Sequence, residues 1–203
     1  MNAGLSNLAT LKRHLLPGTM LTDTQFDATI TQLGLGVAGA LEKYCNRKFQ
    51  RTAGDTCTFT GDRDHFYLPR SPVEAVSAVA LKTSEAGGFV AQTGAIQNSD
   101  GTNGWIYFGA YLGDRYSLVR VTYTGGFWWD TTEDDTGVMP AGATAIAADL
   151  QTAWLLLCEA VWAGRDKLGT GLIEKPDAAA GAEMELTLQV KQMLSGFRRM
   201  QLT

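Results

Sequence analysis

The sequence predicts an α+β protein: a helical bundle formed by the N- and C-terminal helices, with a β-rich insertion in the middle. Apolar residues recur every three or four positions at both ends of the chain, and every second position in its centre. At 203 residues the chain fits one domain, or one domain carrying a sizeable insertion. Residues 1–50 and 140–203 are assigned to the helical core, and 51–139 to a β-rich insertion with an acidic loop. No internal repeat of fixed period is visible.

Leu5, Leu8, Leu11 and Leu15 mark a first helix that Pro17-Gly18 stops. Thr22, three residues before Gln25, suits a capping box for the second helix. That helix carries one apolar stripe through Phe26, Ile30, Leu33, Val37, Leu41 and Tyr44. Lys43, Arg47 and Lys48 lie near its end, where cations complement the helix dipole. The character then changes. Residues 56–60 (Thr-Cys-Thr-Phe-Thr) and 65–68 flank a Gly61-Asp62 turn and read as a hairpin. Val73 to Lys82 reads as extended, residues 98–104 as a turn, and Trp105 to Phe108 as a strand. Ser117 to Thr124 alternates cleanly, with Val119, Val121 and Tyr123 on one side. Residues 127–138 form a polar loop around Glu133, Asp134 and Asp135. Pro140 is expected to open the longest helix, from Ala141 to about Lys167, with Ile146, Leu150, Ala153, Trp154, Leu157, Val161 and Trp162 in its stripe. Residues 164–181 contain Gly and Pro and read as a tether. A final amphipathic helix runs from about Leu186 to Met200, with Leu186, Val190, Met193, Leu194 and Phe197 facing inward.

Composition excludes several classes of function. A net charge of −4 with no cluster of Lys and Arg argues against nucleic acid as the main partner. No apolar run approaches the roughly 20 residues that cross a bilayer, and the first residues lack the pattern of a signal peptide. Cys45, Cys57 and Cys158 are widely spaced, odd in number and accompanied by two histidines only, so they read as reduced thiols of a chain made in cytoplasm. The expectation is therefore no metal and no cofactor.

One motif formally contradicts this. Gly34-Leu-Gly-Val-Ala-Gly39 matches G-x-G-x-x-G. A dinucleotide site needs a strand ending at the first glycine, and here the helical stripe runs straight through all three. Glycines inside a helix cost about 1 kcal/mol each relative to Ala, so close packing or a bend on assembly explains them better. Asp62, Asp64 and His65 crowd one turn, where Asp is common for backbone reasons. No G-x-S-x-G elbow presents a serine, and no catalytic residues are assigned. Two surface candidates remain. Phe127-Trp128-Trp129 cannot all point into one core face, which makes them candidates for an interface. The last helix, ending in Phe197-Arg198-Arg199-Met200, is a candidate docking helix for a partner's groove.

The order of several short motifs resembles the head–tail adaptor (connector, or neck) proteins of tailed phages. These are Ala40-Leu-Glu-Lys-Tyr-Cys-Asn-Arg-Lys-Phe49, Phe66-Tyr-Leu-Pro-Arg-Ser-Pro-Val73 and Val121-Thr-Tyr-Thr-Gly-Gly-Phe127, then Met139-Pro140 and Leu188-Gln-Val-Lys-Gln-Met-Leu-Ser-Gly-Phe-Arg-Arg199. The resemblance covers about Phe26 to Arg199; residues 51–127 are longer than in compact members of the family. It implies a non-enzymatic virion protein, made in the host cytoplasm, that forms a homo-oligomeric ring of typically twelve subunits at the neck, below the portal. The ring extends the DNA channel, which DNA traverses without sequence-specific binding, and offers a platform to the stopper, tail-completion protein or tail. The mild acidity would suit a wall along which DNA slides. The resemblance also implies portal contact by the terminal helix, here Val190, Leu194, Phe197, Arg198, Arg199 and Met200, and an inter-subunit or tail-side interface at Phe127, Trp128 and Trp129. The alternatives are another phage neck or tail-completion protein, or a small enzyme or ligand-binding domain whose pocket is lined by Trp105, Tyr107, Tyr123 and Trp128.

Overall fold

A computed structural model describes residues 2–132, 136–171, 186 and 188–199. The chain is mixed helix and sheet, with helices at both ends and a β-rich middle. It divides into two compact units, Met1–Asn46 with Trp129–Met139 and Ile146–Thr203, and Arg47–Trp128 with Pro140–Ala145.

The first unit is built from α1 (Leu8–Leu15), α2 (Asp27–Cys45), α3 (Ala148–Gly171) and α4 (Leu188–Leu194). Helix α1 packs on α2 and α3, α2 packs on α3, and α4 closes on α3. Asn7 caps α1, its Oδ1 accepting the Thr10 N–H at 2.8 Å. The expected capping box of α2 does not form. Asp23 instead accepts the Gln25 N–H at 2.8 Å, and Phe26 holds the cap position without a side-chain bond. The start of α2 is tied down from α1, where the buried Lys12 ammonium donates to Asp23 O and to Asp27 Oδ1, both at 2.6 Å. At the other end Asn46 adopts the left-handed conformation and its N–H reaches Glu42 O and Lys43 O, a stop that needs no glycine.

Helix α2 buries Ile30, Thr31, Gly34, Val37, Ala38, Leu41 and Cys45. Helix α3 answers with Leu150, Ala153, Trp154, Leu157, Cys158 and Trp162, and Phe26 meets Trp162 edge to face at 6.0 Å. Helix α3 begins later than expected and runs further. Residues 140–145 enter a turn at Gly142 (φ 82°) and a short strand, and the helix then continues through Gly164 to Gly171. The remainder of the expected tether, from 172, lies outside the described residues.

The second unit is a small two-sheet sandwich. One antiparallel sheet has the order β1 (Thr52–Thr60), β7 (Leu118–Gly125), β3 (Val73–Lys82), β4 (Val90–Ala91); the other has β2 (His65–Tyr67), β6 (Trp105–Tyr107), β5 (Asn98–Asp100). The expected hairpin of residues 56–60 with 65–68 is therefore corrected: β1 pairs with β7, and β2 with β6. Gly61 explains the parting of the two strands, because its N–H bonds Ser117 O at 2.8 Å and holds that turn on the end of β7. The expected turn at 98–104 begins with strand β5, which pairs with β6. Phe66, Leu68, Ile106 and Phe108 from one layer and Val79, Val119, Val121 and Tyr123 from the other make one core. The period of two read in β7 is the burial pattern observed. A third, parallel pair joins β8 (Phe127–Trp128) to β9 (Thr144–Ala145), which is why residues 140–145 belong to this unit rather than to a helix.

The glycines of α2 yield a prediction. A Cβ on Gly34 would lie 2.0 Å from Ala3 O and 2.7 Å from Leu11 Cδ2, whereas Gly36 and Gly39 face open space. Gly34→Ala is expected to destabilise the fold by at least about 1–3 kcal/mol through overpacking. Gly36→Ala and Gly39→Ala are expected to stabilise it by about 0.4–1 kcal/mol each. Urea unfolding of the three variants checks both signs.

Candidate interaction surfaces

The glycine motif sits wholly inside α2. Its first carbonyl is used by the protein itself, since the Trp154 indole N–H donates to Gly34 O at 2.9 Å in a buried setting. No strand ends there and no loop opens there, so the nucleotide reading has no structural basis. His65 Nδ1 and Asp64 Oδ1 lie 2.7 Å apart on the surface, both partly exposed. Among the described residues no group of three or more His, Cys, Asp or Glu side chains could hold a metal, and the three cysteines are free thiols. Among those residues no helix is long and apolar enough to cross a membrane.

The four aromatics of the alternative pocket do not converge. Tyr123 points between the two sheets and is fully buried. Its hydroxyl accepts the Arg70 N–H at 3.1 Å and lies 3.4 Å from Asp55 Oδ2, which also takes the Arg70 Nε–H at 2.6 Å. Trp105 and Tyr107 flank the buried Ile106 on β6, so they face the other way, with parallel rings 5.9 Å apart. Trp128 lies on β8, outside both sheets. The space between the sheets is occupied by the buried side chains of Phe66, Leu68, Ile106, Phe108, Val79, Val119, Val121 and Tyr123.

The aromatic triplet is divided as well. Phe127 is buried at the start of β8, where the Arg47 guanidinium lies 5.6 Å from its ring and 5.6 Å from that of Phe49. Trp128 is half-buried, and Trp129 is buried in the first unit. Of the three, Trp128 alone offers appreciable surface. The acidic run Glu133-Asp134-Asp135 lies outside the described residues. The turn before it is organised by Asp130. This carboxylate takes the Thr132 hydroxyl and N–H and the Gly137 N–H, and these bonds hold it below the usual carboxylate range.

At the chain end, Val190 and Leu194 are 1% and 0% exposed. They are the apolar ridge by which α4 joins the helical unit, so an interface role for these two is at odds with the packing. Phe197 and Arg199 are half-buried, Arg198 is exposed, and Leu188, outside the candidate residues of the chain end, is 73% exposed. Arg198 lies over the Tyr44 ring at 5.2 Å, and the Arg199 N–H bonds Cys45 O at 3.0 Å. Both arginines therefore sit at the C-terminal, electronegative end of α2. Met200 lies outside the described residues. Leu188 could have been found from sequence, since it stands two positions from Val190 and falls off the Leu186–Val190–Leu194 face. Tyr111 and Tyr116, 69% and 72% exposed in the loop before β7, carry no comparable signal.

Two consequences are measurable. Leu194→Ala is expected to cost about 2–5 kcal/mol, read by urea unfolding, because it empties a closed site. Burial pushes the Cys158 thiol up to about 12, and burial followed by the charge of Asp55 does the same to Cys57. Folded thiols with that value keep their protons where unfolded ones, near 9.0, lose them. Their contribution to stability is therefore complete below pH 9 and is lost as pH rises towards 12. At pH 8 both should react slowly with a thiol reagent in native protein and promptly in urea.

No protein-family model and no curated protein sequence matches this chain. Solved structures do. A chain in the neck of an empty gene transfer agent particle, computed with C6 symmetry, aligns with a TM-score of 0.62 at 20% identity, over 97% of this chain and 90% of that one. A chain in the virion of a native gene transfer agent particle gives 0.61 at 18% identity, with the same shares covered. A chain in the neck of the native particle, computed with C12 symmetry, gives 0.52 at 17%, again over 97% and 90%. Nearly end to end, this chain is similar in fold to chains found in the necks of gene transfer agent particles.

Proposed function

We propose that this protein is a structural subunit of the neck of a phage-like particle: a head–tail adaptor that forms a ring below the portal and extends the DNA channel. One observation carries the reading. The fold likeness to chains of gene transfer agent necks spans both the helical unit and the β-rich unit, at 97% of this chain and 90% of the neck chain. A shared single module would have left one unit unmatched. The ordered motifs from Phe26 to Arg199 point the same way from sequence. The symmetry of the matched particles, C6 and C12, supports a closed ring of copies.

In this reading the protein is not an enzyme. It works through the surfaces it offers to its own copies, to portal, and to a stopper or tail-completion protein. DNA passes through without sequence-specific contacts, in keeping with a net charge of −4. Since Val190 and Leu194 are buried, contact with portal by the chain end falls to Leu188, Phe197 and Arg198. Electron microscopy of particles carrying a tagged copy tests the reading. Label in a ring at the head–tail junction is expected; label in the capsid shell or tail tube would overturn it, and label at the tail end of the neck would favour a tail-completion role. Leu188→Asp is expected to leave the unfolding midpoint within experimental error while blocking attachment to portal, assayed by cosedimentation.

A further inference from the structure

The four-stranded sheet of the second unit is open at both ends. Among the described residues β1 pairs with β7 alone, and β4 with β3 alone. Hydrogen-bond parity identifies the groups at each free edge. The Gly61 N–H bonds Ser117 O at 2.8 Å, and the register is unbroken from Thr60 back to Asp55. Counting by twos, Phe59 and Cys57 address β7, so the backbone groups of Thr58 and Thr60 point away from it. The Thr56 N–H points the same way and is taken by Asp55 Oδ1 at 3.0 Å. At the other edge the Gln92 N–H bonds Val79 O at 2.8 Å, so Val90 addresses β3 and the groups of Ala91 point outward.

Open edges are ordinarily blunted by lysines, prolines, bulges or brevity. Strand β1 is nine residues long with no lysine and no proline. Its irregularity lies between Thr52 and Asp55, at one end, and leaves Thr56–Thr60 straight. Its one charge, Asp55, is turned onto Arg70. The polarity of the sheet is also specific. All three pairings are antiparallel, so in a sheet of four strands the two edges run in opposite directions. A second copy added in continuation brings its β4 antiparallel to β1, the better-bonded arrangement. Thr58, Arg120, Ala80 and Ala91 form one row across the sheet on one face, so the continued row would set Ala91 of one copy beside Thr58 of the next. Both rims are small enough to allow it.

We propose that the free edge of β1 receives the β4 edge of a second copy, so that the sheet continues from subunit to subunit. The contact is heterologous: each copy gives one edge and receives on the other, and the series ends only by closing, as a ring does. This inference rests on the ring reading and specifies where copies meet.

Thr58→Pro removes one outward N–H and no bond to β7, a change that an edge strand tolerates. Thr58→Val retains the N–H. The expected result is that Thr58→Pro unfolds as the wild type does but assembles at least tenfold less into rings, counted by electron microscopy and native mass spectrometry, while Thr58→Val assembles normally. Independently, a chain carrying both Thr58→Cys and Ala91→Cys should yield a ladder of disulfide-linked multimers on oxidation, where each single variant stops at dimers. Rings of Thr58→Pro at wild-type yield, or wild-type rings with no ladder from the double variant, would overturn the edge contact and leave the ring reading standing. Neither rings nor ladder at millimolar protein would sink both. If Thr58→Pro fails to fold, the ladder decides.

Discussion

The helical unit depends on a missing side chain. Gly34 lets the segment at Ala3–Gly4 lie directly against α2, so close that a Cβ on Gly4 would meet Gly34 O at 2.5 Å. The same carbonyl accepts the Trp154 indole, which fixes the depth of α3 against α2. Three stretches far apart in sequence thus meet at one backbone group. Leu5, Leu11, Ile30, Leu41, Leu150 and Trp154 are all essentially sealed from solvent. What reads in sequence as a phosphate-binding motif is a packing device at its first glycine and leaves open space at the other two.

The sandwich has a comparable junction. Gly125 is paired on one side with Thr52 and on the other with Val73. Gly126 takes a positive φ of 101°, and a Cβ there would lie 2.5 Å from Gln50 O. Through this pair the chain passes between two other backbones: the Gly126 N–H bonds Pro72 O and the Phe127 N–H bonds Phe49 O. Arg47 reaches Ser71 O and lies against Phe49 and Phe127. Arg51 grips Glu74 with two hydrogen bonds at 2.7 and 2.8 Å. The motifs that suggested a family, Ala40 to Phe49, Phe66 to Val73 and Val121 to Phe127, include residues that build this crossing. Their signal is architectural.

That explains what could be read in advance. The stripes of α2 and α3 and the alternation of β7 were legible because local periodicity and burial coincide there. The partner of β1 was not legible, since Gly61-Asp62 has the composition of a tight turn, and Ser117, more than fifty residues away, decides the pairing. The start of α3 is not legible in the sequence: Pro140 is a good first helical residue, yet the parallel pairing of Thr144 and Ala145 with β8 outweighs that local preference. For the candidate surfaces, Trp128 and Arg198 keep exposure, while Phe127, Trp129, Val190 and Leu194 were claimed by the core. Sequence marks an apolar face; it does not say whether the chain itself will cover it.

The two units are unlike in how the chain supplies them. Most of the sandwich comes from one unbroken stretch, Arg47–Trp128, whereas the helical unit collects its parts from both ends. During synthesis α2 is complete at Cys45, but its cover from α3 arrives with Trp154, and the bond to Cys45 O waits for Arg199. At about 5–20 residues per second, the interval from Cys45 to Trp154 is roughly 5–22 s. For that time the apolar stripe of α2 has no native partner beyond α1, while the sandwich already has nearly all of its own strands. The molecule is therefore made with its β unit ready first and its helices last, so the nascent chain spends its most vulnerable seconds with the α3-facing side of α2 uncovered.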